Sequence, residues 1–382
     1  MHLVWASADY VLAGRPLVGF PIILDDDMQS CTAANGFLRS YLLRAGIESS
    51  KSWEAAGQSL YDYFGFLEAH GLDWRDVDRG EAKSLLSAYR DYCFNIHELA
   101  RTTVRLRMFY VCSFYDHALK RGSISKLPFS YEERLGSKAP GYLAHVNASG
   151  GRVKANDAMP RIHKVLPKYL TMDGVKALLG ACTNAHHRII IKFGLQTGLR
   201  RMELATFPVA YIKNALKAPS SSRNVLLKLN PNDGHRIKTK RNKARDLWVS
   251  RTLLEETNRY ITQRRGERAL SGADDCGRLF VNQYGVAYSN NGKALEKIVR
   301  GIGASVGLEV HPHMLRHTYA THTLVALQRS KSTSDPLTFL KNQLGHSSIH
   351  TTMIYAHLVD DYVEDAVLQY DDELNEMDSQ HG

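Results

Sequence analysis

The sequence lacks several features that would place a protein in a class at once. Its five cysteines are scattered, odd in number and without a CxxC pair, so they predict neither a disulfide framework nor a zinc site. No apolar run approaches the roughly 18 residues that span a bilayer, and the start, MHLVWASADYVLAGRPLVGF, lacks a basic segment before its apolar residues. No Walker-type phosphate loop is present. We therefore expect an unexported protein of the reducing cytoplasm.

Charge is the first positive signal. The chain has 49 Lys and Arg against 39 Asp and Glu, a net charge of +10. Residues 358–382 hold nine acidic side chains and no Lys or Arg, so removing those nine negative charges from +10 leaves +19 on residues 1–357. Such a basic body favours a nucleic-acid partner, although a generally soluble surface is the alternative.

Residues 31–127 have the apolar spacing of a helical bundle. In SWEAAGQSLYDYFGFLEAHG, apolar residues recur at intervals of seven, four and three, as on one face of a helix. The segment RTTVRLRMFYVCSFYDHALKRG carries a second stripe, and further helices are expected near residues 31–46 and 80–97. Residues 1–30 are interpreted as an N-terminal extension of this domain.

Three arginines stand near the start of the second striped helix. Arg101, Arg105 and Arg107 are spaced so that they could reach a DNA groove. A solvated basic face explains them equally well, and the sequence leaves both readings open.

Periodicity lapses over residues 128–168, where LGSKAPGYLAHVNASGGRVKANDAMP is typical of a linker. Helical pattern resumes at LTMDGVKALLGACT, and NVLLKLN, HRIKTK and RDLWVS are predicted as short strands joined by turns. We expect a mainly α fold, in which the N-terminal bundle is followed over residues 169–357 by a mostly helical domain with a small antiparallel sheet. The apolar spacing within residues 358–382 predicts an acidic tail helix.

Four motifs in the second half carry the chemistry. In chain order they are TGLRRMEL (197–204), KTKRNKARD (238–246), HPHMLRH (311–317) and LGHSSIHTTMIYAH (344–357). Their order, spacing and residue types resemble the tyrosine recombinase, or phage integrase, family. The first half is similar to that family's core-binding domain by pattern and position only. The resemblance implies a DNA-binding bundle followed by a catalytic domain.

The motifs supply a nucleophile and two cations. Breaking a phosphodiester without losing its energy requires a nucleophile that stays joined to the phosphate, as a tyrosine can. Tyr355 is the nucleophile that the resemblance implies. Arg200 and Arg316 match the family's arginine pair, and planar guanidinium groups suit the extra charge on the nonbridging oxygens of the transition state. Their neighbours, Arg201 and His317, do not match and are expected to be structural.

Other motif residues have supporting roles. His313 lies on the same helix face as the arginine three residues later, and an imidazole suits proton handling at the tyrosine oxygen. The resemblance implies that His346 hydrogen-bonds the scissile phosphate and that Glu203 orients Arg200. His311, like His317, is expected to pack or cap.

The hairpin supplies the last group, because the leaving 5′ oxygen needs a proton. Lys240, just before the predicted turn, best fits the family's hairpin lysine. Lys238 and Lys243 remain rivals for that role. Together with Arg241, these two lysines are expected to contact DNA phosphates.

The implied activity is site-specific recombination of double-stranded DNA through a 3′-phosphotyrosyl intermediate, as in the integration or transposition of a mobile genetic element. Since the bond energy stays in the phosphotyrosine, the resemblance implies no cofactor and no metal. It also implies a synapse of four protomers, in which the acidic tail links neighbours. Two alternatives remain: a type IB topoisomerase, and a DNA-binding regulator with an inactive catalytic fold.

Overall fold

In the computed structural model, the chain forms two compact units, Met1–Lys164 and Val165–Gly382. The structure describes residues 1–44, 46–80, 82–135, 152–161, 166–269, 276–289, 291–330 and 335–359. Most of the predicted acidic tail helix, residues 360–382, lies outside these ranges. Within them, no helix is both long and apolar enough to cross a membrane.

The first unit is a helical bundle with small antiparallel strand pairs. Its helices are α1 (Thr32–Leu38), which continues as a π-helical turn over Arg39–Leu43, α2 (Ser50–Ala69), α3 (Leu85–Asn95) and α4 (Arg101–Lys120). The predicted extension is folded into antiparallel pairs: β1 (His2–Trp5) with β4 (Pro21–Leu24), and β2 (Val11–Leu12) with β3 (Arg15–Pro16). Since Leu17, Phe20 and Ile23 are buried in the helical core, residues 1–30 are part of the unit.

Tyrosines dominate the buried polar groups of this unit. The hydroxyl oxygens of Tyr63 and Tyr115 are 2.6 Å apart, and Tyr89 donates to Asp62 Oδ2 at 2.6 Å. Arg107 donates to the same carboxylate oxygen at 2.5 Å. Because a buried polar group without a partner costs free energy, these pairs allow the core to hold hydroxyl groups.

The predicted linker contains paired strands. β5 (Tyr131–Leu135) and β6 (Arg152–Asn156) form an antiparallel pair, and the division between the units falls after Lys164. The division therefore assigns this segment to the first unit, and the weak periodicity of its described part reflects short strands.

The second unit is mainly helical with an antiparallel strand pair, which confirms the predicted fold class. Its elements are α5 (Met172–Gly180), α6 (Ala185–Thr197), α7 (Arg201–Ala205), α8 (Val209–Ala215), β7 (Asn224–Leu229), β8 (Arg245–Ser250), α9 (Arg251–Tyr260) continuing as a π-helical turn over Ile261–Arg265, α10 (Gly266–Ala269), α11 (Lys293–Ser305), α12 (Pro312–Arg329), α13 (Pro336–Leu344) and α14 (Ile349–Val359).

The sheet has a different pairing from the predicted one. β7 and β8 pair directly with each other, and the middle segment HRIKTK is not a strand. Arg236 has a positive φ of 57°, and the Lys238 N–H donates to Thr206 Oγ1 at 2.9 Å rather than to a neighbouring strand. Ile237 is buried, and an apolar residue between polar neighbours resembles the alternation of a strand. The strand prediction was based on that alternation and is wrong.

Helix α12 organises the second unit, because α6, α11, α13 and α14 pack against it. Its start is fixed by local chemistry. Pro312 occupies the first turn, where its missing N–H needs no partner, and the Met314 N–H donates to His311 Nδ1 at 3.2 Å. His311 thus caps the helix on which His313 and Arg316 lie.

Candidate active site

The four motifs meet around α12. The first motif runs from the end of α6 into α7, the second lies in the hairpin between β7 and β8, and the fourth joins α13 to α14. The site residues predicted from them are placed as follows: Arg200 at the N-cap of α7, Lys240 in the hairpin, His313 and Arg316 on α12, His346 after α13, and Tyr355 on α14.

Arg200 is held by a buried carboxylate. Its backbone N–H donates to Glu203 Oε2 at 2.8 Å, its Nη1 donates to Oε1 at 3.1 Å, and its Nη2 donates to the Gly345 carbonyl at 3.0 Å. Arg245, from β8, donates to both oxygens of the same carboxylate. Burial alone would raise the pKa of Glu203, but the hydrogen bonds and charge of Arg245, with the charge of Arg200, lower it to about 2. Glu203 is therefore ionised and orients two arginines.

Arg316 is buried, with 1% of its surface exposed. Its Nη1 donates to the Gly198 carbonyl at 2.7 Å, and its Nη2 donates to the Leu344 carbonyl at 2.7 Å and to His346 Nε2 at 3.0 Å. A guanidinium group can only donate, so His346 Nε2 accepts and its Nδ1–H donates to Thr352 Oγ1 at 2.9 Å. Burial, with neighbouring positive charge, lowers the pKa of Arg316 to about 9, which leaves it cationic at neutral pH.

Two glycines allow the arginines to approach the main chain. Gly198 and Gly345 both have left-handed backbones, with φ of 62° and 63°. A Cβ at Gly345 would lie 2.5 Å from Arg245 Cδ, and one at Gly198 would lie 2.5 Å from Tyr319 Cδ1 and 3.0 Å from Leu344 Cδ2. A side chain at either position would displace a group that builds the site.

Tyr355 is buried against the same helix, with 2% of its surface exposed. Its ring belongs to an apolar cluster with Leu324 of α12, and its hydroxyl lies 2.9 Å from His317 Nδ1. Burial raises the pKa of Tyr355, although the charges of Arg316 and Arg200 oppose the rise. The hydroxyl is therefore protonated at neutral pH.

The contact of His317 with Tyr355 was not predicted from the sequence. We expected His317 to pack or cap, but it bonds the hydroxyl of the predicted nucleophile. His313 lies one helical turn earlier, with ring centroids 4.4 Å apart, and no hydrogen bond joins it to that hydroxyl in the described part of the chain. Burial is the main reason that the pKa falls to about 4 for His313 and about 3 for His317. The i, i+4 spacing of the two histidines was the sequence signal for this pair.

The hairpin lysine faces an open cleft. Lys240 and Lys243 line a cavity of about 480 Å³ together with Arg200, Arg245 and His346. Lys238 is not among the residues that line it. The charge of Lys240 is also close enough to contribute to the lowered pKa of His313.

Arg241 and Arg201 have different surroundings. Arg241 also lines the cleft. It lies in the turn Lys240–Asn242 and has a positive φ of 59°. Arg201 points elsewhere and forms an ion pair with Glu296 of α11.

The arginines at the start of α4 are partly engaged within the first unit. Arg107 is paired with Asp62, and Arg105 Nη1 donates to the Pro160 carbonyl at 2.7 Å. The Arg101 guanidinium lies over the Phe94 ring, 5.8 Å from its centroid. Arg105 and Arg107 thus hold the bundle together in this structure, whatever further contacts they make.

The chain is similar in sequence to tyrosine recombinases. The sequence model of the phage integrase family matches residues 168–361. Tyrosine recombinase XerA of Pyrococcus horikoshii is 28% identical over 209 residues, which cover 54% of this chain and 63% of that protein. Tyrosine recombinase XerC of Herpetosiphon aurantiacus is 26% identical over 307 residues, which cover 77% of this chain and 80% of that protein.

Solved structures agree on the fold. The XerH recombinase in a post-cleavage complex with its difH substrate has a TM-score of 0.56 at 18% identity, covering 88% of each chain. The Tn1549 transposon integrase in complex with a circular intermediate DNA has a TM-score of 0.57 at 17% identity, covering 85% of this chain and 95% of that chain. Since the family model also spans half of the sequence, the chain belongs to the phage integrase family of tyrosine recombinases.

Proposed function

We propose that this protein is a site-specific DNA recombinase that cuts and rejoins double-stranded DNA through a 3′-phosphotyrosyl intermediate. The family and the tyrosine recombinase relatives support the recombinase activity, and the DNA-bound structures of XerH and the Tn1549 integrase support DNA as the partner. One observation carries the mechanism: two arginines from different motifs converge on the Leu344–Gly345 segment that precedes Tyr355. The reaction would take place in the cytoplasm, at the ends of a mobile genetic element.

The chemistry is a transesterification. The Tyr355 hydroxyl oxygen attacks the phosphorus, the bond from phosphorus to the 5′ oxygen breaks, and Lys240 protonates that oxygen. Arg200 and Arg316 stabilise the negative charge that develops on the nonbridging oxygens. A 5′ hydroxyl from a second duplex then reverses the step and releases the tyrosine.

The test is covalent capture on a nicked suicide duplex that carries the site selected by the protein from a random-sequence DNA library. Wild-type protein should form an adduct that survives denaturation, and Tyr355→Phe should bind the same duplex without forming one. The matched control is Tyr284→Phe, which alters an exposed tyrosine of the same unit and should form the adduct normally. An adduct in Tyr355→Phe would contradict the assignment.

The same preparation separates the two alternatives. A type IB topoisomerase would relax a supercoiled plasmid without site preference and reseal the same strand. A catalytically inactive regulator would bind the selected duplex and form no adduct even as wild type. The convergence of Arg200 and Arg316 on the Leu344–Gly345 segment favours an active enzyme over the regulator.

We infer further that protomers assemble into a tetrameric synapse through the acidic tail, residues 358–382. Its nine acidic residues are repelled by DNA phosphates, while its apolar spacing suits a groove on a neighbouring protomer. Deleting the residues after His357 should leave binding of one protomer to a half-site intact but abolish synapsis, as measured by mass photometry on two-site DNA. Assembly and recombination at the full rate in the truncated protein would rule out this role.

A further inference from the structure

We propose that His317 accepts the phenolic proton of Tyr355 during DNA cleavage and returns it during rejoining, an inference that rests on the proposed function. The assignment follows from position. His317 Nδ1 lies 2.9 Å from the Tyr355 hydroxyl oxygen, within the distance that direct proton transfer requires. Helices α12 and α14 pack against each other and hold the two side chains together.

Both groups are in the protonation states that the proposed transfer requires. Tyr355 is protonated at neutral pH, because burial raises the pKa of its hydroxyl. His317 is neutral, because burial and then the charges of His313 and Arg316 lower its pKa to about 3. For this transfer the hydroxyl donates and Nδ1 accepts, which places the ring hydrogen of the neutral imidazole on Nε2. A bound DNA phosphate adds negative charge nearby, which raises the pKa of His317 and lets it hold the proton.

His313 has different neighbours. The charges that lower its pKa include Arg200 and Lys240, residues that line the open cleft. The charges that act on His317 are those of His313, Arg316 and His311. The helix thus presents His313 towards the cations of the cleft and His317 towards the nucleophile. This arrangement assigns His313 to the phosphate and His317 to the tyrosine proton.

The proposed step balances in both directions. In cleavage, the Tyr355 oxygen forms a bond to phosphorus as its proton moves to His317 Nδ1, while the 5′ oxygen departs with a proton from Lys240. In rejoining, the 5′ hydroxyl attacks phosphorus and returns its proton to Lys240. The phenolate then leaves and recovers its proton from His317. No additional reactant is required.

The experiment measures single-turnover cleavage of the selected suicide duplex by the full chain. His317→Ala and His317→Gln are each prepared with tyrosine and with 3,5-difluorotyrosine at position 355. His187→Ala, which removes a histidine of α6 outside the site, is the matched control. Loss of the base should slow cleavage by roughly 100-fold with tyrosine. With the more acidic difluorophenol, which needs less help from a base, the loss should shrink to about tenfold or less.

Other results would overturn the proposal. An equal loss with both phenols would show that His317 only positions Tyr355. An unchanged or faster rate would show that the hydrogen bond is dispensable or restrains the nucleophile. If 3,5-difluorotyrosine reduced the loss of cleavage rate in His313→Ala but not in His317→Ala, the phenolic proton would be assigned to His313. His317→Gln keeps a side chain that can accept a hydrogen bond, so it tests basicity even if His317→Ala folds poorly. If wild-type protein forms no adduct at all, the proposed function itself fails.

Discussion

The two units bury polar side chains in different ways. In the first unit, Tyr63, Tyr89 and Tyr115 hydrogen-bond to one another or to a carboxylate, and burial raises the pKa of each hydroxyl, so all three are neutral near pH 7. In the second unit, Glu203 and Arg316 stay charged although both are almost fully buried. The first arrangement holds neutral hydroxyl groups in the core, whereas the second holds charged groups, and its carboxylate keeps Arg200 and Arg245 in place.

The difference shows under which condition a buried charge is tolerated. A buried ion is costly unless other groups satisfy it from several directions. Arg316 meets this condition with two carbonyl oxygens and a ring nitrogen, and Glu203 meets it with two arginines. Arg107 of the first unit has a single carboxylate partner and is more exposed. We therefore expect equivalent substitutions to have different consequences in the two units.

The largest expected effect comes from Arg316→Lys. Lysine keeps the positive charge but loses the fork that holds the Gly198 and Leu344 carbonyls and, in the proposed mechanism, contacts the phosphate. Single-turnover cleavage should therefore fall by roughly 1,000-fold. Arg107→Lys is the matched change in the first unit. It should alter the cleavage rate less than about twofold, since Arg107 pairs with Asp62 within the bundle. Near-normal cleavage by Arg316→Lys would mean that this arginine is structural.

A loss of roughly 100-fold is expected for Lys240→Ala, because the 5′ oxygen then leaves without a proton donor. A substrate whose bridging 5′ oxygen is replaced by sulfur should restore the rate selectively, since a thiolate leaves without protonation. Lys238→Ala and Lys243→Ala are the controls and should show no selective restoration. Restoration in either of them instead would move the general acid to that lysine.

Acid should weaken the second unit more than the first. His186 is buried between the hydroxyls of Tyr260 and Tyr288, at 2.7 and 2.9 Å, and burial lowers its pKa from 6.5 to about 3. Between these values the unfolded chain binds a proton that the folded chain does not. The free energy of unfolding therefore falls as pH falls through this window, by up to about 1.4 kcal/mol per pH unit.

Hydrogen-exchange protection factors provide the measurement. Protection of peptides from α6 should drop between pH 7 and pH 5 more than protection of peptides from α2. His186→Gln should reduce the drop in α6 by removing the titrating group. An equal drop in both units would contradict the contrast between their buried polar groups.

The smallest effect is expected from Tyr63→Phe in the first unit. This change removes one buried hydrogen bond, to Tyr115, and should lower the free energy of unfolding by about 1 kcal/mol in urea denaturation. Adduct formation should be unaffected, unlike the same chemical change at Tyr355. A loss of cleavage in Tyr63→Phe would show that the bundle core contributes to chemistry.

Local patterns were sufficient for the main helices of the fold. The apolar stripes that predicted α2 and α4 are long, and long periodic segments are read reliably from sequence. The hairpins within residues 1–30 were missed because strands of two to four residues leave almost no periodic signal. The segment HRIKTK was wrongly predicted as a strand. Ile237 between polar neighbours gives it the alternating pattern of a strand, but such a pattern does not show that the residue before it, Arg236, has a positive φ.

The residues of the candidate site were likewise predicted only in part. The four motifs predicted which side chains would meet, because each motif is short and its residue types are chemically specific. They did not predict Arg245, which reaches Glu203 from a strand far along the chain. They gave the tyrosine proton to His313, whereas the hydroxyl of Tyr355 lies against His317. Both histidines lie on one face of α12, and the docking of α14 decides which of them meets Tyr355.

The carbonyl contacts of the two central arginines have a consequence for how the sequence can vary. Arg316 and Arg200 are anchored by the main-chain oxygens of Gly198, Leu344 and Gly345, and every amino acid supplies such an oxygen. Substitution around these positions can therefore leave the guanidinium groups in place, provided that the two glycines keep the chain close. Geometry that depends on backbone atoms is insulated from mutation. This insulation gives one physical reason why the fold recurs in solved structures with as little as 14% sequence identity.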